Sequence, residues 1–479
     1  MEDVRSPVRG AERQTGRDNQ MNKLSAGKIY RRVTAVFAAA LLGLTLPVAS
    51  FAAALSSSQQ ALLQQSAAKV QAARPAMAQA PAANKKAAPA KWTVMVYMNG
   101  NSNLAPDILR IVNEMEAAGG SSSDVQMVVH LSRDAKQLTD KNPMFQTQSP
   151  AGIWTPDDSR GGSVRYHVTG DKNSQVTSIP LSASGDPGNA GTLQKFVVWA
   201  KQAYPAQRYM LMIYGHGAGM FGTSASDAAG GGSKMSIPDL SDSLRMAGGV
   251  DVLFFYSCLM QMAEVSARLD GVAKVVIGSE TSMLTGLPFE PMFRTVKASA
   301  SAGPDQFSKA IFKAIAENDS RLGYQDAGAQ FALSAIKPSG SKKFVQALSA
   351  YVDAVMSEQD LESARLARDN AVRVFPAGEE GGSVYEDYCD LGTFVQLQAS
   401  LSKSPKVQAA ANALMEVMYK DYLLTVGQTG AGAEPTGVSI YLPGKGQTIL
   451  PKESYEGNPI GASKWGAFIR WLNMYRGEK

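Results

Sequence analysis

Two cysteines and three histidines are all that 479 residues contain of these types. So few cysteines exclude a disulfide framework, and no CxxC or HxxxH spacing offers a metal-binding set. Strong charge of one sign is also missing. The formal net charge is +5, and no long Lys/Arg run follows residue 90. Nucleic-acid binding needs cations clustered on one face, so none is expected. Long apolar runs are absent apart from one stretch near the start, so the bulk of the chain offers no membrane span.

That stretch is "VTAVFAAALLGLTLP" (33–47), preceded by Lys23, Lys28, Arg31 and Arg32 and followed by "VASFAAA". A charged segment, an apolar segment and small residues in that order predict an export signal. Cleavage after Ala52 puts Ser50 and Ala52 at the small-residue positions. Residues 1–20 are long for the charged segment, which makes Met21 an alternative start to Met1. Residues 53–90 are rich in Ala, Gln, Lys and Pro and cannot bury enough apolar surface to offset the entropy of ordering, so they read as a linker. The expected product is exported, periplasmic or extracellular, with no stable membrane span once residues 1–52 are removed.

From Trp92 onward, short apolar runs alternate with helical patterns. Strands are expected at 92–98, 125–131, 209–215, 250–257 and 273–280, with helices at 104–120, 192–204, near Asp239 and over "LMQMAEVSARLDG". A hairpin is expected around "GGSVRYHVTG". Near-continuous apolar strands separated by helices predict an α/β fold with a mostly parallel sheet covered on both faces. Further strands are expected at 329–337 and 437–443. Residues 340–375, 404–425 and 462–476 read as helical, which gives residues 91–479 one domain with a helix-rich region at about 340–425.

The question of chemistry falls on "MLMIYGHGAGMFG" (210–222). Its GAGMFG fits G-x-G-x-x-G, but a flexible "TSASDAAGGGSK" follows where a nucleotide fingerprint needs a helix. His216 instead lies just past one expected strand and Cys258 just past the next. If those strands are parallel neighbours, a thiol and an imidazole share one rim, which suits nucleophilic attack on a carbonyl. The backbone N–H groups of Gly217 and Cys258 then become candidates for holding an oxyanion. A buried Cys258, or a Cys258–Cys389 disulfide, is the structural alternative. His130, inside an apolar strand pattern, reads as structural, and His167 as a solvated loop residue.

"YGHGAG", then "FFYSCLMQMAEV" and "VIGSETSMLTGLPF", resembles the clostripain-like cysteine peptidases of the caspase and gingipain clan. "KWTVMVYMNGNSNLAPDILRIVNEME" and "MSIPDLSDSL" are similar to the same family. The resemblance covers roughly residues 91–300 and implies a caspase-like three-layer α/β/α sandwich. It implies His216 as catalytic histidine, Cys258 as nucleophile and peptide hydrolysis through an acyl-enzyme. A cleavable loop between the two often permits self-activation, and Lys234 is the basic residue available in this one. The family's DACLM is YSCLM here: Tyr256 replaces the aspartate that favours basic side chains, so specificity is altered or another acid, such as Glu280, stands in. A degenerate, non-catalytic binding protein of the same fold is the alternative. Expected partners are protein or peptide substrates, and no cofactor is expected. Calcium enters only through the resemblance, with no oxygen-ligand loop of clear spacing.

Overall fold

The strand Ala90–Gly100 (β1) has no polar face. Met95 and Tyr97 enter one buried cluster, and Val94, Val96 and Met98 enter another. A strand buried on both sides belongs at the centre of a sheet covered by helices, and that is the architecture of this computed structural model. It describes residues 88–133, 162–173, 176–226, 232–283, 286–318, 331–375, 384–429, 435–445 and 447–474. The expected export signal (33–47), and the linker (53–90) up to residue 87, lie outside the described residues.

After β1 come helix Ala105–Ala117 (α1) and strands Val125–Arg133 (β2), Gly162–His167 (β3) and Pro180–Ser182 (β4). Helix Ala190–Ala203 (α2) leads to strand Ala206–Tyr214 (β5) and the short pair His216–Gly217 (β6) and Thr223–Ala225 (β7). Then follow helix Ile237–Met246 (α3), strand Val250–Tyr256 (β8), helix Ala263–Arg268 (α4) and strand Ala273–Ser279 (β9). Helices Phe289–Ala298 (α5) and Pro304–Asn318 (α6) precede strand Phe331–Ile336 (β10) and helices Ser341–Ser357 (α7) and Leu361–Asn370 (α8). Strand Tyr388–Asp390 (β11), helices Leu391–Leu401 (α9) and Pro405–Val417 (α10), and strands Leu423–Thr429 (β12) and Ser439–Tyr441 (β13) come next. Helices Lys452–Glu456 (α11) and Lys464–Met474 (α12) are the last described elements.

Nine strands form one sheet in the order β12-β10-β9-β8-β5-β1-β2-β3-β4. Its centre, β9-β8-β5-β1-β2, is parallel, and antiparallel strands extend both edges. From β1 the chain first steps outward to β2, then returns to lay β5, β8 and β9 on the other side. The order therefore reverses between β1 and β5, where parallel sheets open a crevice beyond their carboxyl ends.

Helices α1, α5 and α6 cover one face through Ile108, Ile111, Met115, Phe289, Phe293, Phe307 and Ile311. Helices α2, α3 and α4 cover the other, joined by α7 to α10 and α12. Each such fully buried side chain stabilises the fold by about 1.5–3 kcal/mol relative to exposure. The helix-rich region thus shares the main core.

Several local expectations differ. The helix over "LMQMAEVSARLDG" begins only at Ala263, because Leu259 and Gln261 donate their N–H groups to Thr281 and Ser279 at the end of β9. The strand expected at 437–443 pairs with β11, outside the main sheet. The helix expected to reach residue 425 gives way to β12, an edge strand on β10. Helices α5 and α6 add to the expected pattern.

Candidate active site

Parallel pairing sets Tyr214 of β5 opposite Tyr256 of β8. Two residues further along each chain come His216 and Cys258, on the same rim. Glycine makes the approach close. A Cβ on Gly217 would fall 2.2 Å from the Cys258 carbonyl oxygen and 2.9 Å from its nitrogen. Gly215, at φ 153°, packs against Ser224 and Asn99, and the β6–β7 register shifts between His216 and Gly217, a bulge that bends the strand. Ser224 (φ 53°) and Leu259 (φ 63°) are non-glycine residues in the left-handed region, each costing roughly 1–2 kcal/mol. Strain of this kind collects where a site over-determines its backbone.

The Cys258 thiol is free and half-buried. Its sulfur accepts the Met283 N–H at 3.1 Å, and the thiol points to the Met283 carbonyl at 3.7 Å. Burial pushes the thiol up, and the Met283 N–H pulls it partly back. The resting sulfur therefore keeps its proton at neutral pH and needs a neighbouring base to become a nucleophile. Half-buried His216 shares a 2.7 Å hydrogen bond between Nε2 and the amide oxygen of Asn103, just past the end of β1. Three strand ends at the reversal of strand order thus supply Asn103, His216 and Cys258.

Cys389 is also free, fully buried in β11, and pushed by burial up to about 12. The disulfide alternative is therefore absent. His130 is buried against Tyr97 and held neutral, burial lowering it to about 3, a structural residue. His167 is not a solvated loop residue. It ends β3, bonds Gln126 at 2.9 Å and stacks on Tyr204.

Tyr256 is on the same face of β8 as Phe254 and is only 3% exposed. Its ring lies 5.2 Å from Tyr214 and edge-on to Phe289 at 5.1 Å, and its hydroxyl accepts the Leu287 N–H at 3.5 Å. Arg110 lies over Phe289 with its Nε on Asp107 at 2.6 Å and a second nitrogen on Glu114. A phenol thus occupies the space below the rim, and the nearby charges are paired internally. Glu280 does not replace a missing pocket acid. It is fully buried, takes the Gly437 N–H at 2.6 Å, and burial together with neighbouring Asp390 raises it well above the usual carboxylate range.

Lys234 is exposed, but its chain neighbours are paired. Ser226 N–H bonds Ser233, and Thr223 and Met235 exchange both backbone bonds. Residues 227–231 of this loop lie outside the described residues. Among the described residues no group of three or more His, Cys, Asp or Glu side chains converges to share a metal ion. No described helix is long and apolar enough to cross a membrane. Sequence reasoning missed Asn103; the available signal was its position in "GNSNL", the turn following β1.

The fold is that of the C11 cysteine proteases. A secreted C11 cysteine protease from Bacteroides thetaiotaomicron, solved with an irreversible peptide inhibitor, superposes with a TM-score of 0.54 at 20% identity, over 80% of this chain and 99% of that one. An inactive zymogen C11 protease from Parabacteroides distasonis gives 0.53 at 19% identity, over 78% and 98%. The model of the clostripain family (Peptidase_C11) matches residues 96–475, and the chain belongs to that family. It is 22% identical over 227 residues to clostripain from Hathewaya histolytica, an alignment spanning 43% of this chain and 42% of that protein.

Proposed function

We propose that this protein is an exported cysteine endopeptidase in which Cys258 is the nucleophile and His216 the proton carrier. The approach of the Gly217 backbone to Cys258, on the rim that also holds His216, carries the reading. In the first half-reaction the Cys258 sulfur bonds to the scissile carbonyl carbon while its proton passes to His216. The Gly217 and Cys258 N–H groups stabilise the oxyanion. The imidazolium then protonates the departing amine as the C–N bond breaks. In the second half-reaction His216 takes a proton from water, the hydroxide displaces sulfur from the acyl carbon, and the thiol recovers its proton.

The Tyr256 phenol shortens the pocket beside the sulfur and brings no charge to it, so small uncharged side chains are preferred over Lys and Arg. Self-processing after exposed Lys234 belongs to the same reading, and because the pocket disfavours a Lys side chain the cut is expected to be slow. The pairing of Thr223 with Met235 means that this arm must open before the bond is accessible. Export rests on the charged and apolar pattern of residues 23–52.

Digestion of a mixed peptide library by the purified protein and by Cys258→Ala tests the assignment. Cleavage by the wild type and a loss of at least about 10⁴-fold in the variant are expected. A Tyr256→Asp variant should gain cleavage after Lys and Arg. The second reading, a non-catalytic binding protein, draws on the buried phenol at 256. It is favoured over the peptidase if the wild type, freed of residues 1–90 and cut at Lys234, leaves the library as intact as Cys258→Ala does.

A further inference from the structure

The rim holds a third polar side chain that the dyad leaves without a role. We infer that Asn103 is a positioning residue: its amide oxygen holds the His216 ring through Nε2–H, which makes Nδ1 the nitrogen that exchanges the proton with Cys258. The inference rests on the peptidase reading for its consequence, but its geometry stands apart from it.

An amide oxygen can only accept, so at 2.7 Å the histidine nitrogen facing it must carry hydrogen. A neutral imidazole carries one N–H. With that hydrogen on Nε2, the Nδ1 lone pair takes the thiol proton and later returns it to the departing amine, and Nε2–H stays on Asn103 throughout. An uncharged acceptor holds the ring in both protonation states without the bias toward imidazolium that a carboxylate imposes.

The turn carrying Asn103 is tied down on several sides. Asn101 N–H bonds the Asn99 side chain at 3.0 Å, and Leu104 N–H bonds Ser102 Oγ at 3.3 Å. The Tyr214 hydroxyl donates to the Leu104 carbonyl at 3.2 Å, joining the turn to β5 two residues before His216. Asn99 Nδ2 reaches the Ser224 carbonyl at 2.6 Å, on the strand that pairs with His216. The amide is therefore presented from a fixed backbone. Asn103 itself is exposed, so water competes for His216 in the free protein; a peptide lying across the rim removes that competition.

The test uses the full chain labelled with ¹⁵N-histidine, in which three histidines give three ring signatures and His216→Gln identifies the relevant one. The wild type is expected to show His216 with hydrogen on Nε2, and Asn103→Ala to show a fast-exchanging mixture of tautomers. In peptide cleavage, Asn103→Ala should lower kcat by at least about tenfold with KM little changed, and Asn103→Asp, which keeps an acceptor oxygen, should recover most of the rate. A wild-type His216 protonated on Nδ1, or an Asn103→Ala variant with unchanged kcat and unchanged ring signature, overturns the inference. If the wild type cleaves nothing, the peptidase reading fails, and the ring signature still decides the tether.

Discussion

Two regions of this molecule hold the same kinds of side chain and put them to opposite uses. The rim at the carboxyl ends of β1, β5 and β8 leaves a thiol and an imidazole partly exposed beside backbone that only glycine permits. The seam between the sheet and the C-terminal segments buries another thiol, Cys389, with the carboxyls of Glu264, Glu280 and Asp390. There each group serves the backbone. Asp390 caps α9 through Thr393 N–H at 2.7 Å and takes both the N–H and the hydroxyl of Thr436. Glu264 takes the Tyr441 N–H at 3.0 Å and the Tyr455 hydroxyl at 2.7 Å. Access to water and a movable proton separate a reactive group from a structural one; residue type does not.

Alkylation breaks or sharpens this contrast most directly. Iodoacetamide should modify Cys258 in the folded protein at least about 10³ times faster than Cys389, whose exposure requires opening of the core. Peptide mass spectrometry reads the ratio, and comparable rates at the two thiols would erase the distinction between rim and seam.

Glu264 gives the next effect. Burial raises it to about 7 from an ordinary 4.5, so the folded state holds its proton more tightly than the unfolded chain does. The stabilisation is fully present below about pH 4.5 and is lost as pH rises through about 7. Glu264→Gln removes that loss. Between pH 4.5 and 8, urea unfolding of the variant relative to wild type should gain roughly 3 kcal/mol. Parallel pH curves for the two proteins would show that this carboxyl ionises freely in the fold.

On the rim, Gly217→Ala should lower kcat/KM by about 100-fold, since the added carbon displaces the Cys258 backbone. Gly303→Ala, where nothing lies within 4 Å of the added carbon, is the matched control and should leave steady-state kinetics unchanged.

Much of the parallel sheet was legible because its strands are apolar on both faces and bounded by turns. The reading of 92–98, 209–215 and 250–257 as strands required only local pattern, and each is found with its ends moved by a few residues. Positions 259–262 mislead because "LMQM" has a helix-like composition, whereas the N–H groups of Leu259 and Gln261 go to the carbonyls of Thr281 and Ser279. The same limit hid β12, since an edge strand following a helix carries little alternation of its own. Glu280 reads as an available acid from the sequence alone, because its burial beside Asp390 depends on a segment distant along the chain.

By itself, then, the sequence determined the alternation of apolar strands and helices, the scarcity of thiols and imidazoles, and the glycines around His216. Those are properties of neighbours along the chain, governed by local sterics and by the need to cover apolar surface. Only the tertiary structure decided that Cys389 stays apart from Cys258, that the Tyr256 phenol occupies the space below the rim, and that Asn103 meets His216 across 113 positions. Those depend on strand order in the sheet, which long-range packing sets and no local pattern encodes.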